Sequence, residues 1–261
     1  MLIGTTVLPL HVTPESEFIF GDIRKTLKQP RFTGFFDLVI ADPPFGLKFD
    51  KSSHEYGAED YILYDDEFKG TEYEEFTHQW ASVVYESLKD NGSFYLVSGW
   101  TRLREILNAV ARIPFHLINH VIWAYSWGVY AKRKYVTSHY HILFLVKDKK
   151  NYTFKPQYVN PNTKRKGNPY ERDVWFWPEY NRGNDPHRIK GHPCQLPIVL
   201  LEKMIKISTN EGDWIGDAFS GSAGCALAAL NLNRNVASFE INPEYKNVME
   251  KKLALGDHST E

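Results

Sequence analysis

The sequence predicts an α/β fold built on a mostly parallel sheet with one antiparallel pair of strands. Short apolar runs rich in β-branched and aromatic residues alternate with segments whose apolar residues recur at helical spacing. This alternation is typical of parallel strands joined by crossover helices. The runs at 115–124 and 140–146 differ, because no helix is predicted between them. We therefore expect these two to pair antiparallel at one edge of the sheet.

Two early strands each end at an acidic residue. The run at 18–20 ends at Gly21-Asp22, and a helix is predicted to begin at residue 23, so Asp22 either caps that helix or faces a ligand. The run at 35–41 is predicted to be a buried central strand that stops at Asp42. Open α/β sheets bind ligands at the carboxyl ends of their strands. The sequence therefore predicts that Asp22 and Asp42 lie at the same edge.

The tetrapeptide Asp42-Pro43-Pro44-Phe45 suits the methylation of an amine. Prolines have no N–H and a fixed φ, so their carbonyls are expected to remain free acceptors on a stiff turn. The Asp42 carboxylate and the Pro43 carbonyl could accept both hydrogens of an –NH₂ group, while Phe45 offers a ring face to a planar base. Such bonds would localise the nitrogen lone pair and direct it at an electrophile. The alternative is a simple strand-ending turn with Phe45 in the core.

The middle of the chain predicts a loop followed by a helix, a strand and a second helix. Residues 46–71 are acidic and aromatic without a clear period, which suits either a mobile lid over the site or a solvated connector. Residues 72–88 have helical spacing, and the helix is expected to close at Asn91-Gly92. A strand at 93–98 and a helix at 102–112 then continue the alternation.

Positive charge is concentrated between residues 132 and 190. This stretch holds fourteen bases against five acids, whereas residues 50–75 hold ten acids against two bases. The connection 125–135 interleaves aromatics with bases, so it is either an exposed hairpin tip or a surface that stacks on unpaired bases and contacts phosphates. Residues 151–190 lack a sustained period, which suits a functional insertion. The candidate DNA-binding bases are Lys132, Arg133 and Lys134 in the connection, and Lys164, Arg165 and Lys166 in the insertion.

The C-terminal part predicts a nucleotide-type ligand site. A helix at about 198–208 precedes the stretch 214–224, which predicts a strand, a glycine-containing turn and the start of an Ala/Leu-rich helix. Glycines let the backbone approach a ligand, and a helix N-terminus favours a carboxylate or phosphate. The next strand ends at Glu240, about twenty residues on, where a ribose hydroxyl pair would be bound. The turn has neither G-x-G-x-x-G nor a P-loop lysine, so NAD or ATP fits less well than a smaller adenosyl ligand.

Composition excludes several classes of protein. No run approaches 18 apolar residues and the N-terminus does not resemble a signal peptide, so we expect a soluble, cytoplasmic protein with no membrane partner. The net charge of −1 argues against a uniformly basic nucleic-acid binder. Two cysteines, Cys194 and Cys225, are too few for a disulfide framework, and the scattered histidines form no ligand set, so no metal is expected. The 261 residues are expected to form one domain.

Four motifs, taken in their order along the chain, carry a resemblance to a known family. They are Asp42-Pro43-Pro44-Phe45, His192-Pro193-Cys194-Gln195, Asp217-Ala218-Phe219-Ser220-Gly221-Ser222 and Phe239-Glu240-Ile241-Asn242-Pro243-Glu244-Tyr245. The set resembles the beta-class amino-methyltransferases of restriction–modification systems and their phage or orphan relatives. The resemblance implies a Rossmann-like, circularly permuted class I methyltransferase fold. Its sheet would have seven mostly parallel strands with an antiparallel edge hairpin, and its cofactor would be S-adenosylmethionine.

The resemblance also implies roles for individual residues. The base and its amine would be held by Asp42, Pro43, Pro44 and Phe45. The cofactor would contact Phe219, Ser220 and Gly221 at its methionine end, Glu240 at the ribose and Asp22 at the adenine. The segment that closes over it would contain His192, Pro193 and Gln195, and further candidates from the same motifs are Asp217, Ser222 and Asn242. Residues 151–190 lie where the family keeps its target-recognition region.

The sequence departs from the family pattern at several of these positions. The family often has Pro at the position of Ala218 and Gly at the position of Ala223. It often has Thr-Gln-Lys-Pro where this chain has Cys194-Gln195-Leu196-Pro197. These changes remove no obvious catalytic group.

The implied activity is methyl transfer from S-adenosylmethionine to N6 of adenine in double-stranded DNA, after the base has left the stack. The nearest rival is N4 of cytosine, which presents the same amine geometry, although cytosine enzymes of the family tend to have Ser where this chain has Asp42. An RNA or protein amine methyltransferase is disfavoured because those relatives mostly place the glycine turn before the Asp-Pro-Pro-type motif. A non-catalytic nucleic-acid-binding subunit is a further alternative. A homodimer is a candidate assembly.

Overall fold

The computed structural model describes residues 14–45, 68, 71–126, 128, 132–155, 172–176 and 185–256. Most of the predicted loop at 46–71 lies outside the described residues. The candidate DNA-binding bases Lys164, Arg165 and Lys166 lie outside them as well.

The described strands form one sheet with the predicted mixture of parallel and antiparallel pairs. They are β1 (Ser16–Phe20), β2 (Phe36–Ala41), β3 (Leu88–Ser98), β4 (His116–Ala124), β5 (His139–Val146), β6 (Val174–Phe176), β7 (Trp214–Asp217) and β8 (Asn235–Glu240). The order across the sheet is β1-β8-β7-β2-β3-β5-β4-β6. β5 is antiparallel to both β3 and β4, whereas the other neighbouring pairs are parallel.

Helices cover both faces of this sheet. They are α1 (Ile23–Thr26), α2 (Glu72–Ser87), α3 (Leu103–Ala111), α4 (Ile198–Ser208), α5 (Gly224–Asn231) and α6 (Lys246–Leu253). Because side chains alternate along a strand, β2 supplies both cores. Leu38 and Ile40 belong to the core under α4, α5 and α6, and Val39 and Ala41 to the core under α1, α2 and α3. None of the described helices is long and apolar enough to cross a membrane.

The strand order makes strands from the N-terminal and C-terminal parts of the sequence neighbours in the sheet. β1 pairs with β8, and β7 lies between β8 and β2. The predicted cofactor half, at the C-terminal end of the sequence, therefore packs directly beside the strand that carries Asp42. This arrangement confirms the predicted circularly permuted, Rossmann-like α/β fold.

The predicted number of strands was wrong by one. β6 lies within the region 151–190 and pairs in parallel with the outer edge of β4, so the predicted hairpin is not the extreme edge. Trp175 is buried while Val174 and Phe176 are exposed, which is the alternation of a strand. Three residues are too few for that alternation to stand out in the sequence.

The predicted end of α2 was also wrong. Asn91 and Gly92 do not close the helix, which ends at Ser87, but lie within β3. Phe36 pairs with Leu88 and Leu38 pairs with Ser93, so residues 89–92 form an irregularity in the strand. Leu88 is completely buried, and its burial in the sheet makes β3 begin at residue 88, before the turn signal at Asn91-Gly92.

Candidate active site

The carboxyl ends of four neighbouring strands bring acidic residues together. β1, β8, β7 and β2 are consecutive and parallel, and Ile40 in β2 pairs with Asp217 at the end of β7. Asp42 follows directly after β2, Asp22 follows β1, and Glu240 ends β8. All four line one cavity of about 300 Å³, which lies in the size range of small-molecule sites. One cavity thus collects acidic residues that are far apart in the sequence.

The cavity also collects the other residues singled out by their motifs. Every predicted catalytic and cofactor-binding residue except Pro193 lines it. Pro193 is buried, and its carbonyl accepts a hydrogen bond from the Arg188 guanidinium at 3.3 Å. The lining also includes residues to which the sequence assigned no role, among them Arg24, Phe68, Phe76, Cys194, Leu201 and Tyr245.

The turn after β2 is fixed by contacts from other elements. The Pro44 carbonyl accepts a hydrogen bond from the Tyr73 hydroxyl at 2.8 Å, so the expectation that both proline carbonyls remain free acceptors was wrong for Pro44. The Phe45 ring lies 5.8 Å from the Tyr140 ring, with 37° between their planes. A Cβ at Gly99 would lie 3.5 Å from the Phe45 ring, so that glycine also packs against it. Phe45 is therefore held at the cavity and not in either core.

Glu240 is tied to the glycine turn by two backbone hydrogen bonds. Its Oε2 accepts from the Gly221 N–H and its Oε1 from the Asn242 N–H, each at 2.8 Å. Burial raises the pKa of Glu240, and these N–H donors oppose that rise. Each carboxylate oxygen has a further lone pair, so Glu240 can still accept hydrogen bonds from a ligand.

The glycine turn brings the backbone close to the loop before α4. Gly221 has φ +50°, and a Cβ there would come within 2.7 Å of His192 Nε2. Ala223, where the family often has Gly, adopts the left-handed conformation with φ +64° and is fully buried. The turn therefore keeps its left-handed geometry at Ala223 despite the Cβ there.

Asp217 is the most deeply buried of the four acidic residues. It is 4% exposed, and burial raises its pKa from 3.8 to about 7. The negative charges of Glu240 and Asp42 also raise this pKa, while a hydrogen bond from Ser238 opposes the rise. The Ser238 hydroxyl lies 3.4 Å from Asp217 Oδ2. Asp217 therefore ionises near neutral pH.

Asp22 caps a helix, as one of its predicted alternatives required, and it also lines the cavity. Its carboxylate caps α1 by accepting a hydrogen bond from the Arg24 N–H at 3.0 Å, and it lines the cavity. The Arg24 guanidinium binds both carboxylate oxygens, with Nε 3.0 Å from Oδ1 and Nη2 2.7 Å from Oδ2. Hydrogen bonding to Arg24 lowers the pKa of Asp22, so this carboxylate stays charged.

Gln195 uses its amide to fix the loop that carries His192. Its Nε2 donates to the carbonyls of Ile189 and His192 at 2.6 and 2.9 Å, and its Oε1 accepts from Lys252 Nζ at 3.1 Å. Lys252 is completely buried, and burial lowers its pKa to about 8. No sequence pattern indicated that this lysine would be buried, because a basic residue in an amphipathic helix usually faces solvent.

The described candidate DNA-binding residues lie on the surface, outside the cavity lining. Lys132, Arg133 and Lys134 are exposed in the connection between β4 and β5. Tyr135 beside them is 98% exposed. β5 begins where β3 ends, since His141 pairs with Ser98, so this connection emerges at the same edge as Asp42. No group of three or more potential metal ligands occurs among the described residues.

Sequence comparison relates this chain to known DNA methyltransferases. The chain matches the N6/N4 methyltransferase family model, described as DNA methylase, over residues 36–251. It is 31% identical over 226 residues to the Type II methyltransferase M.HpaI of Haemophilus parainfluenzae, covering 83% of this chain and 68% of that protein. It is 29% identical over 242 residues to the DNA adenine methyltransferase YhdJ of Escherichia coli, covering 85% and 77%.

Solved structures show the same fold at lower sequence identity. The PvuII DNA methyltransferase (cytosine-N4-specific) matches with a TM-score of 0.69 at 18% identity, covering 92% of this chain and 86% of that one. The M1.HpyAVI–SAM complex matches with a TM-score of 0.63 at 20% identity, covering 92% and 100%. The family match spans most of the chain, and M.HpaI is matched over more than two thirds of its length. The chain therefore belongs to the N6/N4 DNA methylase family.

Proposed function

We propose that this protein transfers a methyl group from S-adenosylmethionine to N6 of adenine in double-stranded DNA. The observation that carries the proposal is that Asp42-Pro43-Pro44-Phe45 lines the same cavity as Glu240 and the Gly221 turn. An acid and a proline carbonyl suited to an amine therefore lie beside a carboxylate and a backbone turn suited to an adenosyl ligand.

The cavity residues fit S-adenosylmethionine. Glu240 keeps a lone pair on each oxygen, which suits a pair of ribose hydroxyls. The close approach of Gly221 to His192 leaves no room for a side chain, so the turn presents its bare backbone to the methionine end. Asp22, charged and paired with Arg24, would face the adenine. When bound, the cofactor supplies an electrophilic methyl group on a positively charged sulfur.

The residues of the turn would prepare the amine for attack. An exocyclic amine is a weak nucleophile because its lone pair is delocalised into the ring. The Asp42 carboxylate and the Pro43 carbonyl would accept its two hydrogens and localise that lone pair. Positive charge would develop on the nitrogen as the N–C bond forms and the bond between the methyl carbon and sulfur breaks. The Asp42 carboxylate would stabilise this charge until the nitrogen releases a proton to solvent. Phe45 would stack on the extruded base.

Adenine is favoured over cytosine by the residue that precedes the two prolines. Cytosine enzymes of the beta-class amino-methyltransferases, which this sequence resembles, tend to have Ser at that position, whereas this chain has Asp42. YhdJ, at 29% identity, is named as an adenine methyltransferase, which also supports adenine. N4 of cytosine is the second candidate, because its amine has the same geometry and the PvuII enzyme of similar fold is named as cytosine-N4-specific.

Duplex DNA is the proposed macromolecular substrate. Lys132, Arg133 and Lys134 are exposed at the same sheet edge as Asp42, where they would contact phosphates and position the duplex. The segment 151–190, between β5 and α4, is the proposed target-recognition region. Reaching Asp42 requires that the base leave the helix, since its amine is otherwise engaged in pairing.

Nucleoside mass spectrometry tests this function. Purified protein is incubated with duplex DNA and labelled S-adenosylmethionine, and the DNA is then digested. We expect N6-methyladenine. N4-methylcytosine without N6-methyladenine would replace the proposal by its second candidate. Transfer to RNA but not to DNA would indicate an RNA enzyme, and no transfer to any acceptor would indicate a binding subunit.

Replacing Asp42 tests the assigned chemistry. We expect Asp42→Ala to lower the turnover number by about 100-fold or more, because one preorganised group at the developing charge is lost. The affinity for S-adenosylmethionine, measured calorimetrically, should persist, since Glu240 and Gly221 are untouched. Asp90→Ala is the control, because its side chain is fully exposed. Normal turnover in the Asp42 variant would place catalysis elsewhere.

A further inference from the structure

We propose that Tyr73 is a positioning residue that aligns the Asp42-Pro43-Pro44-Phe45 turn with the target amine through its hydrogen bond to Pro44. This inference rests on the proposed function and adds to it a residue from α2, outside all four sequence motifs. Tyr73 does not line the cavity, so it does not touch the reacting atoms. It acts through the backbone of the turn.

The turn depends on contacts from other elements because its own backbone can make few hydrogen bonds. β2 ends at Ala41, so residues 42–45 lie beyond the ladder of the sheet. Pro43 and Pro44 have no N–H to donate, which leaves their carbonyls as the groups through which the backbone can be anchored. The Tyr73 hydroxyl supplies such an anchor at 2.8 Å, a normal length for a strong O–H···O bond.

The donor itself is held rigidly. Tyr73 is completely buried, and its ring packs edge-on against Phe68 at 5.2 Å and tilted by 42° against Phe76 at 6.2 Å. The Arg102 guanidinium carbon lies 5.4 Å from the centre of the Tyr73 ring, and its Nη2 donates to the Phe68 carbonyl at 3.1 Å. α2 and the start of α3 therefore fix the phenol before any substrate arrives, so the bond to Pro44 costs little further ordering.

This hydrogen bond has a consequence for the choice of acceptor. Tyr73 already uses one lone pair of the Pro44 carbonyl, so we assign the Pro43 carbonyl, together with Asp42, as the acceptor for the amine. Restraining Pro44 also restrains the preceding peptide, and with it the direction of the Pro43 carbonyl. Methyl transfer depends steeply on alignment, so loosening this bond should lower the rate of the chemical step.

Tyr73→Phe is the test, because it removes the hydroxyl and keeps the ring that packs on Phe68 and Phe76. We expect the turnover number to fall by about 10- to 100-fold while the KM and Kd for S-adenosylmethionine stay within about twofold. Tyr85→Phe is the matched control. Tyr85 lies on the same helix, packs its ring on Phe115 at 5.0 Å and does not line the cavity.

Equal turnover in Tyr73→Phe and the wild type would overturn the inference and leave the proposed function standing. A parallel loss of cofactor affinity and turnover would indicate a general structural role and would also overturn it. If the wild type itself transfers no methyl group to DNA, the proposed function fails and the inference fails with it.

A second measurement separates alignment from extrusion of the base. Duplexes with the target base mispaired make flipping easier. If Tyr73 aligns the amine after flipping, the ratio of wild-type to variant turnover should be the same on paired and mispaired duplexes. Disappearance of the difference on the mispaired duplex would assign Tyr73 to base extrusion and overturn the positioning role.

Discussion

Asp217→Asn should stabilise the protein, and the gain should grow with pH. Burial raises the pKa of Asp217 from 3.8 to about 7. Between these two values the folded state keeps a proton that the unfolded state has released, so the folded state binds more protons. The free energy of unfolding therefore falls as pH rises through this window, and the penalty is complete above about pH 7. Asn has a similar shape and cannot ionise, so the variant escapes the penalty.

The interval between 3.8 and about 7 sets the size of the effect. Each pKa unit corresponds to about 1.4 kcal/mol, so the full penalty is roughly 4 kcal/mol. From about pH 5 to pH 8, the advantage of Asp217→Asn over the wild type should grow by roughly 3 kcal/mol. Groups that do not interact with Asp217 are common to both proteins and cancel in the difference, whereas Glu240 and Asp42 contribute through their effect on the pKa of Asp217.

Urea denaturation followed by tryptophan fluorescence at several pH values, without cofactor, measures this difference. Asp90→Asn is the control, since its side chain is fully exposed and its difference from the wild type should not follow this slope. An advantage of Asp217→Asn that is constant across the range would refute the reasoning. It would mean that Asp217 ionises in the folded protein near its ordinary pKa.

Two further predictions concern the glycine turn. Gly221→Ala should weaken S-adenosylmethionine binding about tenfold or more in calorimetry, because its Cβ would lie 2.7 Å from His192 Nε2. Gly34→Ala carries similar strain at φ +60° with no atom within 4 Å, and should leave affinity unchanged. In urea denaturation, Ala223→Gly should change the free energy of unfolding by less than about 1 kcal/mol. The variant gains stability by relieving left-handed strain, and it loses stability because a buried methyl group is removed and the unfolded chain becomes more flexible. Ala223→Val should destabilise by about 2 kcal/mol or more, since a β-branched residue resists φ +64°; equal stability of the two variants would contradict the strain assigned to this position.

The strand ends were predictable because their signals are local. Asp42 and Glu240 each follow a short apolar run that stops at a charged residue, and the parallel topology brings such ends to one edge. The antiparallel pair β4–β5 was predictable for a similar reason, since the segment between the two runs has no helical spacing and so predicts no crossover helix.

Features that depend on tertiary packing could not be predicted in this way. Asn91-Gly92 is a strong turn signal, yet burial of Leu88 against the sheet outweighs it. The partners of Tyr73 and Gln195 come from distant parts of the chain, so neither hydrogen bond leaves a pattern in sequence spacing. The same holds for the pKa of Asp217, which follows from burial in the folded protein.

The short strand β6 limits how freely the proposed target-recognition region, between β5 and α4, could be exchanged for that of another protein. That stretch contributes Trp175 to the core under α4, α5 and α6, and it hydrogen-bonds along the outer edge of β4. A donor segment without an equivalent strand would leave the backbone of β4 bare, and bare strand edges promote pairing between molecules. Chimaeras should therefore keep Val174–Phe176 in place and join foreign sequence on either side of it.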